Sequence, residues 1–333
     1  MHQAHPAARW PAEKRLMPTP IAKHMSSALK ARGVLFTLYG DYILHFGGSI
    51  WTGSLISLME QLGFSSGAVR TALSRMCQQG WLQATRDGKL SYYGLTERGQ
   101  ERLEEAAHRI FHAHRDAWDG QWTVVTLGPS EGKREQRDRL RREMEWLGFG
   151  RLTTATWISP NPVARVALNH LRLQEIGKGV EAFTARHIGT SSRQEIVERC
   201  WDIPAIARQY GQFIATWQPR FRACRARAER NDPMADQECF SDKTWLVHEY
   251  RKFLFVDPSL PAELLPREWP GSAAWQLFRD YYQLLAEGAI RFFEQVFRAP
   301  TDTRWNRVQA RLQALQNPFE SVHEPVAAFL PGD

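Results

Sequence analysis

Several features that would mark a secreted, membrane-spanning or zinc-binding protein are missing from this sequence. It has only four cysteines in 333 residues, and none forms a CxxC pair of the kind that holds zinc or exchanges disulfides. No apolar run approaches the roughly 20 residues that cross a bilayer, and the N-terminus has no apolar signal core. These absences predict reduced thiols and a cytoplasmic protein that does not enter a membrane.

Catalytic signatures are scarce as well. The chain has no Gly-rich phosphate loop of the nucleotide-binding kind. His108 and His112 are four residues apart and could share a metal ion, but no third ligand is evident, and two solvated histidines on a helix are the favoured interpretation. We therefore predict no enzyme, no metal and no cofactor.

Positive charge is concentrated at the N-terminal end. The formal net charge is +7, and residues 1–95 carry ten Lys or Arg against four Asp or Glu, a net charge of +6. Hydrophobic residues make up 43% of the chain, enough for real cores, and 333 residues predict two or three domains. A basic N-terminal third in a globular protein favours a polyanionic partner such as nucleic acid.

The apolar pattern of residues 31–80 is typical of three short helices. A first helix opens near Val34, and a second spans Leu55 to Leu62 with helical spacing. Ser65-Ser66 supplies an N-cap for a third helix. The spacing predicts that this third helix buries Val69, Leu73 and Met76.

A hairpin pattern follows the third helix. Two β-prone runs, Trp81–Thr85 and Leu90–Leu95, are joined through Asp87-Gly88. Asp-Gly between such runs is a strong hairpin signal, because glycine accepts the positive φ that a tight turn demands. Three helices followed by a hairpin predict a winged helix-turn-helix. Thr96 then caps a linker helix that we predict to end near His114.

The rest of the chain predicts an α+β unit followed by helices. Strand patterns at Trp122–Leu127, Leu152–Ile158 and Val180–Ile188 alternate with helical patterns at Glu131–Leu147 and Asn161–Ile176. Long amphipathic runs then occupy 194–200, 205–230 and 273–297. The predicted fold class is α+β, with a mobile N-terminal arm (1–25), a winged helix-turn-helix (26–95), a linker helix (96–117), a central α+β domain (118–190) and a C-terminal helical domain (191–333).

The exposed face of the predicted third helix suits the recognition of DNA bases. In a helix-turn-helix this helix enters the major groove, where the guanidinium of Arg can make two hydrogen bonds to guanine. The basic hairpin turn would reach phosphates or the minor groove. The alternative is that these are solvated charges and that the hairpin only seals a small domain. The predicted DNA-binding residues are Ser66, Arg70, Thr71, Ser74 and Arg75 on the helix and Arg86 and Lys89 on the hairpin.

The segment SSGAVRTALSRMCQQGWLQATRDGKLSYYGLTERG resembles the PaaX family of repressors, which govern phenylacetate degradation in bacteria. The segments WTVVTL, LGFGRLTTATWISPNP and HEYRKFLFVDPSLPAELLPREWPG, with the trailing LFRDYY, resemble it too, so the likeness covers about residues 32–297. This resemblance implies a winged-helix domain, a central ferredoxin-like domain similar to the small CRISPR spacer-acquisition proteins, and a helical C-terminal domain. It also implies a repressor that leaves its operator DNA when phenylacetyl-CoA binds.

The position of the effector site is open. A CoA thioester with an aryl group needs cations for its phosphates and an apolar slot for its ring. The same C-terminal motif could instead form a packing core around Phe253, with its charges in solvent. The candidate effector-binding residues within that motif are His248, Tyr250, Arg251, Lys252, Arg267 and Trp269.

Two other functions stay open beside the favoured homodimeric repressor. One is a regulator of the same family that senses a different acyl-CoA or another ligand. The other is an enzyme that processes CoA esters or nucleic acid. Metal-dependent nucleases of the CRISPR type place a carboxylate at the end of the first strand. Here that strand ends in Gly128-Pro129-Ser130, and Asp119 lies before it, so we expect no nuclease activity.

Overall fold

Two small antiparallel sheets lie within a largely helical molecule, so the predicted mixture of helix and sheet is confirmed. The predicted N-terminal arm and most of the helix predicted from Asn161 to Ile176 lie outside the described residues. The computed structural model describes residues 27–112, 117–127, 134–161, 180–297 and 318–319.

The N-terminal part of the described chain contains three helices and a three-stranded sheet of order β1-β3-β2, with these bounds: α1 Ser27–Asp41, β1 Ser49–Trp51, α2 Thr52–Gln61, α3 Ser66–Gln78, β2 Leu82–Asp87 and β3 Leu90–Leu95. The sequence did not predict β1, because three residues are too short to show a period of two. This strand pairs antiparallel with β3, placing Ile50 opposite Tyr93. It ties the chain before α2 to the hairpin that follows α3.

The linker helix α4 spans Glu97–Phe111 and ends three residues before the predicted position. The hydroxyl of Thr96 accepts a hydrogen bond from the Gly99 backbone N–H at 3.1 Å and caps the helix. A side chain on Gly99 would place Cβ 2.4 Å from the Trp81 carbonyl oxygen, so only glycine allows α4 to approach the hairpin this closely. Phe111 packs edge-on against Tyr282 near the far end of the chain, with 5.4 Å between the ring centroids.

The central unit is a four-stranded antiparallel sheet of order β5-β6-β4-β7, with one described helix, and its elements are β4 Gln121–Leu127, α5 Arg134–Trp146, β5 Gly150–Arg151, β6 Thr156–Ser159 and β7 Val180–Arg186. The prediction of one strand over Leu152–Ile158 is wrong. The backbone N–H groups of Leu152 and Thr153 both donate to the Thr156 carbonyl, which folds this stretch into a tight hairpin between β5 and β6.

The last part of the described chain is helical, as predicted, with α6 Arg193–Cys200, α7 Ile203–Glu229, α8 Asp236–Tyr250 and α9 Gly271–Phe297. Helix α8 was not predicted by the amphipathic runs, because it is buried on several sides and lacks a single apolar stripe. It packs along α9. No helix among the described residues is long and apolar enough to cross a membrane.

The first and last parts of the chain share one hydrophobic core. Helices α8 and α9 pack against α1 and α2, so that a continuous cluster of buried side chains runs from Ala31 to Phe297. At its centre the ring of Tyr42 stacks on Phe293 with 4.9 Å between centroids and contacts Phe240 at 5.5 Å. The predicted N-terminal and C-terminal domains therefore pack directly on each other.

A buried ion pair joins these two parts inside the core. Lys243 of α8 donates to the carboxylate of Asp41 at the end of α1 over 2.6 Å, and the two side chains are 0% and 2% exposed. The hydroxyl of Tyr282 donates to the other carboxylate oxygen at 2.9 Å. The ammonium also lies 4.1 Å from the ring centroids of Tyr42 and Tyr282. Burial lowers the pKa of Lys243, and the adjacent carboxylate of Asp41 opposes that shift.

Replacing Lys243 by Met should lower the free energy of unfolding by about 3–5 kcal/mol, because the buried Asp41 carboxylate then loses its cation. Urea unfolding followed by far-UV circular dichroism measures the loss. The matched control is Arg225→Met, which breaks the ion pair between Arg225 and Glu229. The side chains of these two residues are 66% and 64% exposed. It should change stability by less than about 0.5 kcal/mol. Equal small losses in both variants would show that the buried pair does not stabilise the fold.

Candidate nucleic-acid interface

Helix α3 has one buried and one exposed face, as the sequence predicted. Ser65 caps it by accepting a hydrogen bond from the Ala68 backbone N–H at 3.4 Å. The predicted inward residues Val69, Leu73 and Met76 are buried, together with Ala72. The prediction of the helix, its cap and its core face is therefore confirmed.

Five predicted recognition residues lie together on the exposed face of α3: Ser66, Arg70, Thr71, Ser74 and Arg75. The hydroxyl of Thr71 donates to the Gly67 carbonyl one turn earlier at 2.9 Å, so it is already engaged within the helix. For Arg70 and Arg75 we find neither an ion pair nor a hydrogen bond to another described residue. Their guanidinium groups are therefore accessible to a ligand outside the protein.

The hairpin that follows has a two-residue turn, Gly88-Lys89, and its strands pair from Leu82↔Leu95 to Asp87↔Leu90. Gly88 has φ +56° at the first turn position, where a type II′ turn requires a positive φ. Arg86 is the second-last residue of β2 rather than part of the turn. Both Arg86 and Lys89 are exposed, so the hairpin presents two cations to solvent.

The turn before α3 rests on α8 of the C-terminal part. The ring of Phe64 lies 6.2 Å from that of Trp245 in a stacked arrangement. The side-chain amide of Gln237 donates to Gln61 at 2.6 Å. At the other end of α3, the guanidinium of Arg32 donates to Gln79 at 3.2 Å. The orientation of α3 therefore depends on α1 and α8 as well as on its own domain.

Two of the candidate effector residues hold α8 against α1. The Nδ1 atom of His248 lies 3.0 Å from the hydroxyl oxygen of Thr37, and Arg251 donates to the Gly33 carbonyl at 2.8 Å. A side chain on Gly33 would come within 3.1 Å of the His248 ring. Burial and the nearby charge of Arg251 lower the pKa of His248 well below its usual value, so the ring is neutral at pH 7.

The other four candidates are spread over different surroundings. Tyr250 is buried and stacks on Phe278 at 4.1 Å, whereas Lys252 is exposed and pairs with Glu249. Arg267 is exposed, and Trp269 is half-buried with its ring edge-on to Tyr210. The six residues thus do not line one common cavity wall, and their effector role stays a prediction.

Sequence reasoning missed a polar junction between the linker helix, the central unit and the C-terminal part. Arg109 of α4 donates to the Trp146 carbonyl at 2.6 Å and to the Leu254 carbonyl at 3.2 Å. Close by, the hydroxyl of Tyr210 donates to the buried carboxylate of Asp257 at 2.5 Å. Burial raises the pKa of Asp257, and the hydrogen bond from Tyr210 opposes that shift. Nothing local in the sequence distinguishes Arg109 from Arg98 and Arg102, the other arginines of its helix.

Burial keeps at least two of the four thiols protonated. All four cysteines are free, and burial raises the pKa of Cys200 to about 11 and that of Cys239 to about 12, so these two are protonated at pH 7. The rings of His108 and His112 stack 4.9 Å apart. No group of three or more metal-ligating side chains is present among the described residues.

Comparisons with known proteins find sequences that are similar to this chain over most of its length. Family models match as PaaX-like protein over residues 30–99, as the PaaX protein central Cas2-like domain over 115–197 and as the PaaX-like protein C-terminal domain over 201–295. The transcriptional repressor PaaX of Escherichia coli (strain K12) is 33% identical over 278 residues, which cover 82% of this chain and 86% of that protein. A solved structure of an uncharacterized protein from Mycobacterium tuberculosis is 23% identical, with a TM-score of 0.47 over 78% of this chain and 96% of that one. The chain therefore belongs to the PaaX family.

Proposed function

We propose that this protein is a non-enzymatic transcriptional repressor that binds double-stranded operator DNA through a winged helix-turn-helix formed by α1 to β3. The observation that carries this proposal is the pair of exposed guanidinium groups, Arg70 and Arg75, on the face of α3 opposite its buried side chains. A surface helix with two arginines that lack partners among the described residues is suited to an anionic groove. The name of the Escherichia coli relative supports the same function.

In the proposed complex α3 lies in the major groove. Arg70 and Arg75 would each donate two hydrogen bonds to a guanine, and Ser66 and Ser74 would donate to nearby phosphates. Thr71, whose hydroxyl already bonds within the helix, would contact DNA through its remaining lone pairs or its methyl group. Arg86 and Lys89 on the hairpin would reach the backbone or the adjacent minor groove.

The proposed repressor acts in the cytoplasm as a homodimer. Two copies of α3 related by a two-fold axis would read two half-sites about 34 Å apart, one turn of the DNA helix. The operator would then have the same two-fold symmetry as the protein. A monomer would contact only one half-site and bind far more weakly.

The resemblance to the family supports phenylacetyl-CoA as the effector that releases the protein from DNA. Release requires that the thioester bind the free form more tightly than the DNA-bound form. A hundredfold release corresponds to about 2.7 kcal/mol of coupling between the two sites, within the usual range for allosteric proteins.

A gel-mobility shift titration tests both parts of the proposal. The probes are DNA fragments upstream of the protein's own gene and of neighbouring catabolic genes, with an unrelated fragment as control. We expect a specific complex that phenylacetyl-CoA dissolves and that neither free phenylacetate nor CoA dissolves. A complex that resists the thioester would overturn the choice of effector and leave the DNA proposal standing. Equal binding to every fragment would contradict the proposal of a repressor that recognises a specific operator. Consumption of the thioester by the protein would indicate an enzyme.

Replacing Arg75 by Ala should weaken binding to the specific fragment by about 1–3 kcal/mol and hardly change binding to the unrelated one, because a base contact is lost. Gel-shift affinities at a fixed salt concentration measure the difference. The control is Arg222→Ala, which removes an exposed guanidinium from α7, far along the chain from α3. Unchanged affinity of Arg75→Ala for the specific fragment would show that α3 does not read bases.

Replacing Lys89 by Ala should weaken binding to all DNA fragments alike, because a phosphate contact does not depend on sequence. The slope of the logarithm of the affinity against the logarithm of the salt concentration should fall by about one unit. Fluorescence anisotropy titrations at several salt concentrations measure that slope. A loss confined to the specific fragment would instead place Lys89 against a base.

A further inference from the structure

A groove of about 490 Å³ lies between the central sheet and the C-terminal helices. One wall comes from α5 and the β5-β6 hairpin, and the other comes from the junction of α6 and α7 and from the segment after α8 that contains Phe255 and Val256. Its volume falls in the range of about 300–1,000 Å³ that small-molecule sites occupy. None of the six effector candidates named from the sequence lines it.

The groove has an excess of positive charge. Arg141, Arg151 and Arg199 line it, together with the carboxylates of Glu145 and Asp202. Both carboxylates are engaged, since Glu145 accepts from Arg141 at 2.8 Å and Asp202 accepts from the Ala205 backbone N–H at 2.9 Å. Arg151 and Arg199 are exposed and have no ion-pair partner among the described residues, and Arg199 donates only a long hydrogen bond of 3.5 Å to the Ser191 hydroxyl. Two guanidinium groups are therefore available to an anion, the ligand type they bind best.

Apolar side chains line another part of the same groove. Phe255 is 59% exposed and Val256 is 38% exposed, and few other large apolar side chains of the described residues are exposed to solvent. The ring of Phe255 lies 5.2 Å from that of Trp146 in a tilted arrangement. Adjacent exposed apolar residues in a concave site favour a ligand that carries an apolar group.

Two indole N–H groups in the groove lining lack a hydrogen-bond acceptor. Trp157 is only 4% exposed, and its Nε1 atom has no partner in the described part of the chain. Trp201 is half-buried, and its Nε1 atom is also buried and without a partner among the described residues. Buried donors are nearly always satisfied, so these two point to an acceptor that the protein itself does not supply. A carbonyl or phosphate oxygen is such an acceptor.

We propose that this groove binds an acyl-CoA thioester, with Arg151 and Arg199 on the phosphate groups, the indole N–H groups on ligand oxygens, and Phe255 and Val256 against the acyl group. The inference rests on the proposed function, since it names the site at which the effector acts. An anion with an apolar arm matches all three parts of the lining at once. Inorganic phosphate or a free carboxylic acid would satisfy only one of them.

The groove is connected to the DNA-binding face through a short path. Phe255 and Val256 follow Arg251, which donates to the Gly33 carbonyl of α1. The Leu254 carbonyl, one residue before Phe255, accepts from Arg109 of the linker helix. A ligand that displaces the segment 254–256 therefore acts on α1, which is part of the winged-helix unit, and on the linker helix α4, which packs against that unit. The thioester would then bind the displaced conformation more tightly than the DNA-bound conformation. This difference in affinity is what release from DNA requires.

The test is calorimetric titration of phenylacetyl-CoA into the full chain and into two kinds of variant. The double variant Arg151→Ala/Arg199→Ala should bind about a hundredfold more weakly, about tenfold for each charge-assisted contact. The variant Ala205→Phe fills the groove with a larger side chain and keeps the backbone N–H of residue 205 that donates to Asp202. It should bind the thioester at least about tenfold more weakly. The matched control Arg208→Ala removes an exposed guanidinium of α7 outside the groove and should bind within twofold of the unaltered protein.

A second readout separates ligand binding from folding and from the proposed function. Without thioester all variants should shift operator DNA like the unaltered protein, and only the groove variants should need more thioester for release. If both groove variants bind the thioester within twofold of the unaltered protein, the groove is not its site, while release of the unaltered protein by thioester would leave the proposed function intact. If the unaltered protein binds no thioester, both this site and the proposed effector are wrong.

Discussion

The buried ion pair between Asp41 and Lys243 is the constraint on which the rest of the structure depends. A carboxylate and an ammonium inside an apolar core are tolerated only when they are paired and hydrogen-bonded, and here Tyr282 supplies the additional hydrogen bond. Because one partner ends α1 and the other lies in the middle of α8, this requirement fixes how the first and last parts of the chain meet. The stacked rings of Tyr42 and Phe293 then close the core around the pair.

This arrangement makes the unit formed by α1 to β3, the proposed DNA-binding unit, part of a larger body. Phe64, at the turn before α3, packs on Trp245 of α8, and the same helix holds α1 through His248 and Arg251. A change at the far end of α8, where the groove lies, therefore has a physical route to α3.

The local sequence pattern was sufficient to predict most of the helices and strands, but it was not sufficient to predict the contacts between them. The helix α3, its Ser65 cap, its buried face and the Asp-Gly hairpin could all be predicted, because capping, helical period and turn chemistry act over a few residues. Strand β1 could not be predicted, because three residues are too short to show the period of a strand. The apolar pattern of the β5-β6 hairpin predicts a single strand, because the tight turn between the two strands has no strong local signal. The pair of Asp41 and Lys243 joins residues 202 positions apart, and the groove combines segments from three regions, so neither leaves a periodic signal.

The C-terminal helices hold α3, the proposed recognition helix, in place through the shared core. Native-state hydrogen–deuterium exchange of the Lys243→Met variant, compared with the unaltered protein, tests it most directly, because exchange reports the local free energy of opening segment by segment. The account predicts faster exchange of the backbone amides in α1 and α3 as well as in α8, and unchanged exchange in the central sheet. Faster exchange confined to α8, with α1 and α3 as protected as before, would contradict it.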